Sequence, residues 1–316
     1  MSDPGTVLGH EQALAGLAAL YRGDGPHTLL LAGPEGIGRR PVARWLAAFL
    51  NCQDASPAAR PCGRCSSCLA LAASRHPDVR EIGPLRITHA GRSRRRPEIT
   101  IDQLVRRPQG DAEPLGPWLL VRPHHRRRVG IIDHAESLTA GAANAFLKML
   151  EEPPAWAVVV LVATGPEALL PTVASRCVIV RLGAVDVSAF ADLEPHPALR
   201  LGLPGPLLLA RRQPPRFAAA KRAADDLMAC LHGDLESALD AADHLAKSVE
   251  ESASGADGAG VSPRALLRER LRDLPQERYA AALDALERCE SALAAYANTG
   301  LAFTTLALEL RGVVAG

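Results

Sequence analysis

A glycine-rich turn, Gly33-Pro34-Glu35-Gly36-Ile37-Gly38-Arg39-Arg40, lies between a short apolar run from His27 to Ala32 and a helical pattern from Pro41 to Leu50. Strand, glycine loop and helix in that order constrain the chain more than any other feature, because the N–H groups that open the helix must face the end of the strand. The glycine spacing is that of a phosphate-binding P-loop. Pro41 falls near the first helical turn, where a missing N–H costs little. The last two positions depart from a working loop, which sets a lysine against the β- and γ-phosphates and a serine or threonine hydroxyl on magnesium. Arg39 and Arg40 supply neither, and no lysine is nearby, since the chain's lysines are Lys148, Lys221 and Lys247. An arginine fork is larger than an ammonium and would need rearrangement to fill its place. A glycine turn retained for fold and subunit packing fits these residues better than productive ATP binding.

Further apolar runs at Val129–Ile132, Val158–Ala163 and Cys177–Leu182 alternate with helical sequence, including a helix from Ala140 to Glu152. Uniformly apolar strands flanked by helices imply a parallel sheet covered on both faces. An α/β domain is therefore expected over residues 1–182, preceded within it by a helix from Glu11 to Leu20 that Gly23-Asp24-Gly25-Pro26 breaks. The stretch Gly83 to Arg128 is rich in proline, glycine and arginine and reads as loop, interrupted by a helix entry at Ile99–Val105. Residues 183–215 are proline-rich and suit a small lid domain, and residues 216–316 read as helical. In that last part Tyr279, Leu283, Leu286, Cys289, Leu293 and Tyr296 recur at three- and four-residue steps, the stripe of an amphipathic helix in a bundle, and Gly255 to Gly260 reads as a flexible link.

Aromatic residues make up only 3% of the 316 residues against a hydrophobic fraction of 47%, so alanine, leucine and valine must fill the core, which favours helices. No apolar run reaches the roughly 20 residues a membrane-spanning helix needs, and Met1-Ser2-Asp3-Pro4-Gly5 lacks the regions of a signal peptide. The chain reads as cytoplasmic. Its seven cysteines then argue for metal binding wherever they cluster, not for disulfides. Cys52, Cys62, Cys65 and Cys68 form C-x9-C-x2-C-x2-C, which suits a four-thiolate zinc site. With every position filled by sulfur, such a site would be structural; buried or redox cysteines are the alternative. Cys177, Cys230 and Cys289 stand alone and read as packed.

The run Val129-Gly130-Ile131-Ile132-Asp133-His134-Ala135-Glu136 ends a strand on Asp133, where magnesium would sit in a nucleotide site. A hydrolytic site of this type follows the aspartate with a glutamate. Here His134 follows, and Glu136 is displaced by three, so it is not assigned as the base. A net charge of +1 excludes bulk attraction to polyanions, but Arg92-Ser93-Arg94-Arg95-Arg96 and His124-His125-Arg126-Arg127-Arg128 are local basic runs. They could meet DNA phosphates, or be solvated loop charge; no aromatic residues interleave them to stack on bases.

Ala142-Ala143-Asn144-Ala145-Phe146-Leu147-Lys148-Met149-Leu150-Glu151-Glu152-Pro153-Pro154 closely resembles the stretch that follows the magnesium-binding strand in clamp-loader subunits. From the residues alone it is a helix ended by two prolines, with Phe146, Leu147 and Leu150 toward the core. Gly9-His10, Pro26-His27-Thr28-Leu29-Leu30, His76-Pro77-Asp78 and Ile99-Thr100-Ile101-Asp102-Gln103 add to the likeness, as does Asn298-Thr299-Gly300-Leu301-Ala302 near the end. Together they resemble the delta-prime family of bacterial clamp-loader subunits. That resemblance implies a RecA-like AAA+ nucleotide-binding fold with a zinc module inserted at 52–68, then a small helical lid and an all-α collar joining a pentameric ring. It implies partners as well: gamma/tau-type ATPase subunits, the delta subunit, the sliding clamp and primer-template DNA.

The resemblance assigns Ser175-Arg176-Cys177 to a motif whose arginine completes the ATP site of the adjacent subunit, though an arginine in this setting is otherwise a solvated charge. Thr164 takes the place of the family's sensor residue, or simply ends its strand. Gly202-Leu203-Pro204-Gly205-Pro206-Leu207 stands where the lid's sensor arginine is expected, without an arginine. The implied protein is a non-hydrolysing subunit of the DNA polymerase III holoenzyme. Its P-loop, Gly33, Gly36, Gly38, Arg39 and Arg40, with Asp133 and Thr164, would be silent, while Arg176 serves a neighbour. An ATP-hydrolysing motor subunit, or another AAA+ ATPase, is the alternative.

Overall fold

The computed structural model describes residues 7, 9–34, 36–87, 93–106, 113–185, 214–253, 267–268, 270–272, 274–294 and 298–315. The chain forms two compact units, Met1–Gly183 and Ala184–Gly316. Most of the expected lid (186–213, including 202–207), the glycine link at 255–260, Tyr296, Glu35, Arg92 and the opening residues 1–5 lie outside the described residues.

In the first unit the strands are β1 (Thr28–Ala32), β2 (Val79–Ile82), β3 (Leu85–Ile87), β4 (Ser93–Glu98), β5 (Arg128–Ile132), β6 (Ala157–Ala163) and β7 (Val178–Arg181). Five of them form one parallel sheet in the order β2-β5-β6-β1-β7. Every position of β1, β5 and β6 is buried, as uniformly apolar strands covered on both faces must be. Each leucine or valine so buried is worth about 1.5–3 kcal/mol. This parallel five-stranded α/β sheet fits the RecA-like AAA+ fold that the resemblance implies.

The helices of this unit are α1 (Glu11–Leu20), α2 (Arg39–Asn51), α3 (Ser66–Ala72), α4 (Ile101–Leu104), α5 (Leu115–Leu120), α6 (Ala140–Glu151) and α7 (Pro171–Ala174). Thr139 opens α6 by accepting the N–H of Ala142 at 3.2 Å, and Pro153-Pro154 close it. Ala142, Ala143, Phe146 and Leu150 face the core, with Leu147 partly buried against it. Thr100 and Gln103 form a capping box on α4, and the Gln103 amide also donates to the Gly83 carbonyl at 2.9 Å.

The region read as loop is more ordered than its composition suggested. β3 and β4 pair as an antiparallel hairpin, and α4 and α5 follow before β5. Ser93-Arg94-Arg95-Arg96-Pro97-Glu98 carries no apolar alternation, so neither period nor composition marks it as strand. β2, Val79-Arg80-Glu81-Ile82, escapes for a related reason: it is an edge strand, half-buried throughout, and edges tolerate charge.

Asp78 leads into β2 and is fully buried. Its carboxylate accepts the backbone N–H of His124 at 2.8 Å and of His125 at 2.7 Å, meets the His125 ring at 3.0 Å, and lies 3.8 Å from the Arg128 guanidinium. Burial pushes this carboxyl upward, but the two N–H donors, the ring and Arg128 outweigh it and hold it below the usual range. The Asp78 N–H donates to Nδ1 of His76, so Nε2 carries the proton and donates to Ser67 Oγ at 2.9 Å. Burial, with His125 beside it, pushes His76 down to about 4, and it stays neutral at neutral pH.

The basic run at the entry to β5 is internal only at its last residue, Arg128, with His125 and Arg127 half-buried. Arg128 donates to the carbonyls of Val121, Pro77 and Arg122 at 3.0–3.2 Å and stacks 4.6 Å from the Trp118 ring. Arg127 bonds the carbonyls of Ala155 and Asp24. His124 and Arg126 remain exposed.

The second unit is helical over its described residues, with α8 (Pro214–Cys230), α9 (Leu235–Ala253), α10 (Gln276–Ala294) and α11 (Thr299–Ala315). Leu227, Leu245, Leu286, Phe303 and Leu310 form its core with many alanines, as expected for a chain poor in aromatics. On α10 the buried stripe is Ala282, Ala285, Leu286 and Cys289, with Tyr279 and Leu293 packed partly against it. Asn298 caps α11 by accepting the N–H of Leu301 at 3.0 Å. No described helix is long and apolar enough to cross a membrane.

Replacing Asp78 with asparagine leaves the buried Arg128 without its counter-charge. Asp78→Asn is expected to lower the unfolding free energy by about 3 kcal/mol. Urea denaturation would show this as a lower midpoint at unchanged slope.

Candidate functional site

The glycine loop leaves the carboxyl end of β1, the edge at which parallel α/β sheets form their ligand crevices. The Gly33 N–H donates to the Thr164 carbonyl at 3.1 Å, which joins the loop to the end of β6. A Cβ at Gly33 would stand 2.6 Å from the Leu182 carbonyl oxygen, so the close approach of β7 requires glycine there. Gly38 opens α2 with φ at 99°, a left-handed conformation that again favours glycine. Buried His10 secures the loop from α1, its Nε2 donating to the Ile37 carbonyl at 2.6 Å. At Gly33 and Gly38, the fold itself accounts for the glycines.

Arg40, in the first turn of α2, turns toward β2 and β5. It pairs with Glu81 and lies 3.7 Å from Asp133. Arg44, one turn on, reaches Glu81 at 4.0 Å. The carboxylate expected to hold magnesium thus faces a fixed protein cation, and the threonine or serine hydroxyl that would complete such a site is absent. Magnesium and ATP do not fit these residues in the hydrolytic arrangement.

Arg39 is buried, and its Nη1 has no hydrogen-bond partner among the described residues. Its charge is felt by His134 and Glu136. His134 occupies a left-handed conformation, φ 52°, and its Nδ1 stands 3.2 Å from Glu136 Oε1. That bond, against burial and with help from Asp133, raises the imidazole above its ordinary value. Burial pushes Glu136 up, but His134 and Arg39 prevail and hold its carboxylate low. Glu136 is engaged by His134. Thr164 directly follows β6 and is exposed.

The four clustered cysteines follow α2. Cys52 comes directly after the helix, and Cys65 caps α3 by accepting the Cys68 N–H at 3.4 Å. The Cys62 N–H donates to Cys52 Sγ at 3.4 Å. The four sulfurs lie within 4.8 Å of one another. A zinc tetrahedron with Zn–S bonds of about 2.3 Å has edges of roughly 3.8 Å, so this donor set is compatible with one structural zinc ion. Backbone N–H groups of Arg64 and Cys65 pull the Cys62 thiol down to about 6, while burial raises Cys52 and Cys68. Hydrogen bonds to sulfur are what a thiolate ligand requires.

Arg176 makes its contacts away from the glycine loop, on α6 and α7. Nε donates to Glu151 Oε1 at 2.8 Å, Nη2 bonds the same oxygen, and Nη1 donates to the Thr172 carbonyl at 2.7 Å. Cys177 donates from its thiol to the Val173 carbonyl at 3.2 Å. Sequence reasoning does not single out Glu81, for which an acid in an edge strand is the only signal, and it marks His10 and Glu151 only as part of the family likeness, without their contacts to Ile37 and Arg176.

The family model described as DNA polymerase III, delta subunit, matches residues 10–186. The chain is 38% identical over 157 residues to the DNA polymerase III subunit delta' of Pseudomonas aeruginosa, a match spanning 50% of this chain and 43% of that protein. It is 35% identical over 172 residues to the DNA polymerase III subunit gamma/tau of Mycobacterium bovis, 54% of this chain and 27% of that one. The chain thus spans less than half the length of these curated relatives. A solved gamma-subunit-related protein of DNA polymerase III from Thermotoga maritima aligns with a TM-score of 0.49 at 19% identity, covering 95% of this chain and 98% of that one.

Arg40→Ala would leave Glu81 and Asp133 facing each other across the sheet edge. Because all three side chains are partly exposed, the expected loss is about 1 kcal/mol. Thermal unfolding would record a small drop in midpoint for Arg40→Ala.

Proposed function

The chain belongs to the DNA polymerase III delta-subunit family, and from that premise we propose that it is the delta-prime subunit of a bacterial clamp loader, one that does not hydrolyse ATP itself. In this role it joins gamma/tau-type ATPase subunits and the delta subunit in a pentameric ring that loads the sliding clamp on primer-template DNA. Residues 1–182 act as the AAA+ domain, 183–215 as a lid and 216–316 as the collar.

The observation that carries this reading is the pairing of Arg40 with Glu81 and Asp133. A hydrolysing site places a metal ion where Arg40 now sits and a lysine where Arg39 is buried. Gly33, Gly36, Gly38, Arg39 and Arg40, with Asp133 and Thr164, then form a nucleotide site in outline only. Arg176 has the opposite character, since a guanidinium on an exposed turn can reach the phosphates of a nucleotide bound by a neighbour. Likeness to gamma/tau sequences favours a second reading, an ATP-hydrolysing motor subunit. The two differ in what the isolated chain does with ATP.

Cys52, Cys62, Cys65 and Cys68 would hold a zinc ion that closes the segment between α2 and β2. Such an ion supplies folding energy and leaves no open coordination position for chemistry.

On this reading the isolated protein shows no ATP turnover, and Arg176→Ala in a reconstituted loader lowers the ATPase rate by about 10-fold or more without changing the fold. Robust hydrolysis by the purified chain would establish the motor reading instead. Metal analysis of native protein is expected to find about one zinc per chain, and Cys68→Ser to lose the metal and lower the unfolding temperature. Metal-free native protein of unchanged stability would exclude the zinc site.

A further inference from the structure

Resting on the reading of Arg176 as a finger, we propose that Glu151 is its positioning residue, holding the guanidinium pre-ordered for the phosphates of a nucleotide in the adjoining subunit. Glu151 is the last residue of α6, where the negative end of the helix dipole disfavours a carboxylate. Helix formation therefore gives no reason for an acid at this position, and the charge of Arg176 does. One oxygen of Glu151 accepts from both Nε and Nη2 of Arg176, while the Thr172 carbonyl accepts from Nη1. Nη1 also lies 3.4 Å from Ser175 Oγ. Of the five guanidinium N–H groups, one on Nη2 and a weakly held one on Nη1 remain for an outside acceptor.

Both supports rest on packed elements. Phe146 and Leu150 bury α6 against the sheet core and Val173 buries α7, so Glu151 and Thr172 are fixed points and not loop tips. The pair itself is open to solvent, its side chains 33% and 46% exposed, and an ion pair so exposed adds little to stability. Its consequence is geometric. A long arginine loses much rotamer freedom when it engages phosphate, and ordering it in the free subunit removes that cost from the reaction. An interaction realised in the transition state appears in kcat more than in KM.

The test is the steady-state ATPase of a loader reconstituted with gamma/tau-type subunits, measured against ATP concentration. Glu151→Ala is expected to lower kcat about three- to tenfold with KM changed less than about twofold. Glu151→Gln should retain most activity, because its amide oxygen still accepts from Nε and Nη2. In an Arg176→Ala background, Glu151→Ala should add nothing. Wild-type or faster turnover by Glu151→Ala, beside an impaired Arg176→Ala, would overturn the positioning role and leave the finger intact. An unimpaired Arg176→Ala would remove the finger and the proposal together. Equal thermal unfolding of all variants would show that the rates do not report misfolding.

Discussion

A buried carboxylate, Asp78, ties together the parts of the first unit that the chain visits far apart in sequence. It gathers the turn at His124 and His125, faces Arg128 at the start of β5, and through its own N–H and His76 reaches Ser67 beside Cys68. A charge in this setting is tolerated only because donors surround it, and these all come from the segment 124–128, far along the chain from Asp78 itself. The Asp78 side chain therefore places the entry to β2 against the entry to β5, while its backbone N–H, through His76, ties in the cysteine-bearing segment. The sheet whose carboxyl edge carries the glycine loop depends on that placement.

At that edge the same electrostatic logic takes another form. Glu81 and Asp133 bring two acids together at the ends of neighbouring strands, and such a pair needs a cation. In a hydrolysing relative of this fold a metal ion could supply it; here Arg40 does. A tethered guanidinium cannot leave with product or admit phosphate oxygens to its coordination sphere. The glycines persist beside it because Gly33 must pass the Leu182 carbonyl and Gly38 must turn left-handed, demands of the backbone that do not depend on a ligand. Arg176 contrasts with Arg40: its pairing with Glu151 is exposed, and the strength of an exposed pair is small enough to permit new partners.

Much of this could be read without coordinates. The central strands were legible because uniformly apolar runs have few alternatives, and α1, α2 and α6 because proline, glycine and capping residues bracket them. The cysteine cluster was legible from spacing alone, and the four sulfurs do gather. The β3–β4 hairpin and the edge strand β2 were not, since arginine-rich and charged segments carry no periodic signal. By composition the basic run at 124–128 is either a DNA contact or solvated charge, yet its last residue, Arg128, is buried against backbone carbonyls. Composition counts charges but cannot say which carbonyls they will satisfy.

The sequence by itself determined which residues stand in the glycine loop and after Asp133, because identity at a position is a local property: Arg39, Arg40 and His134 are what they are before any folding. It likewise determined the alternation of strand and helix and the grouping of four cysteines. Only the tertiary structure decided what those residues do instead. Arg40 meets Glu81 from β2 and Asp133 from β5, and Arg176 meets Glu151 from α6, across separations that no pattern encodes. Charged partners are selected by proximity in space, and that proximity exists only once the apolar strands have packed.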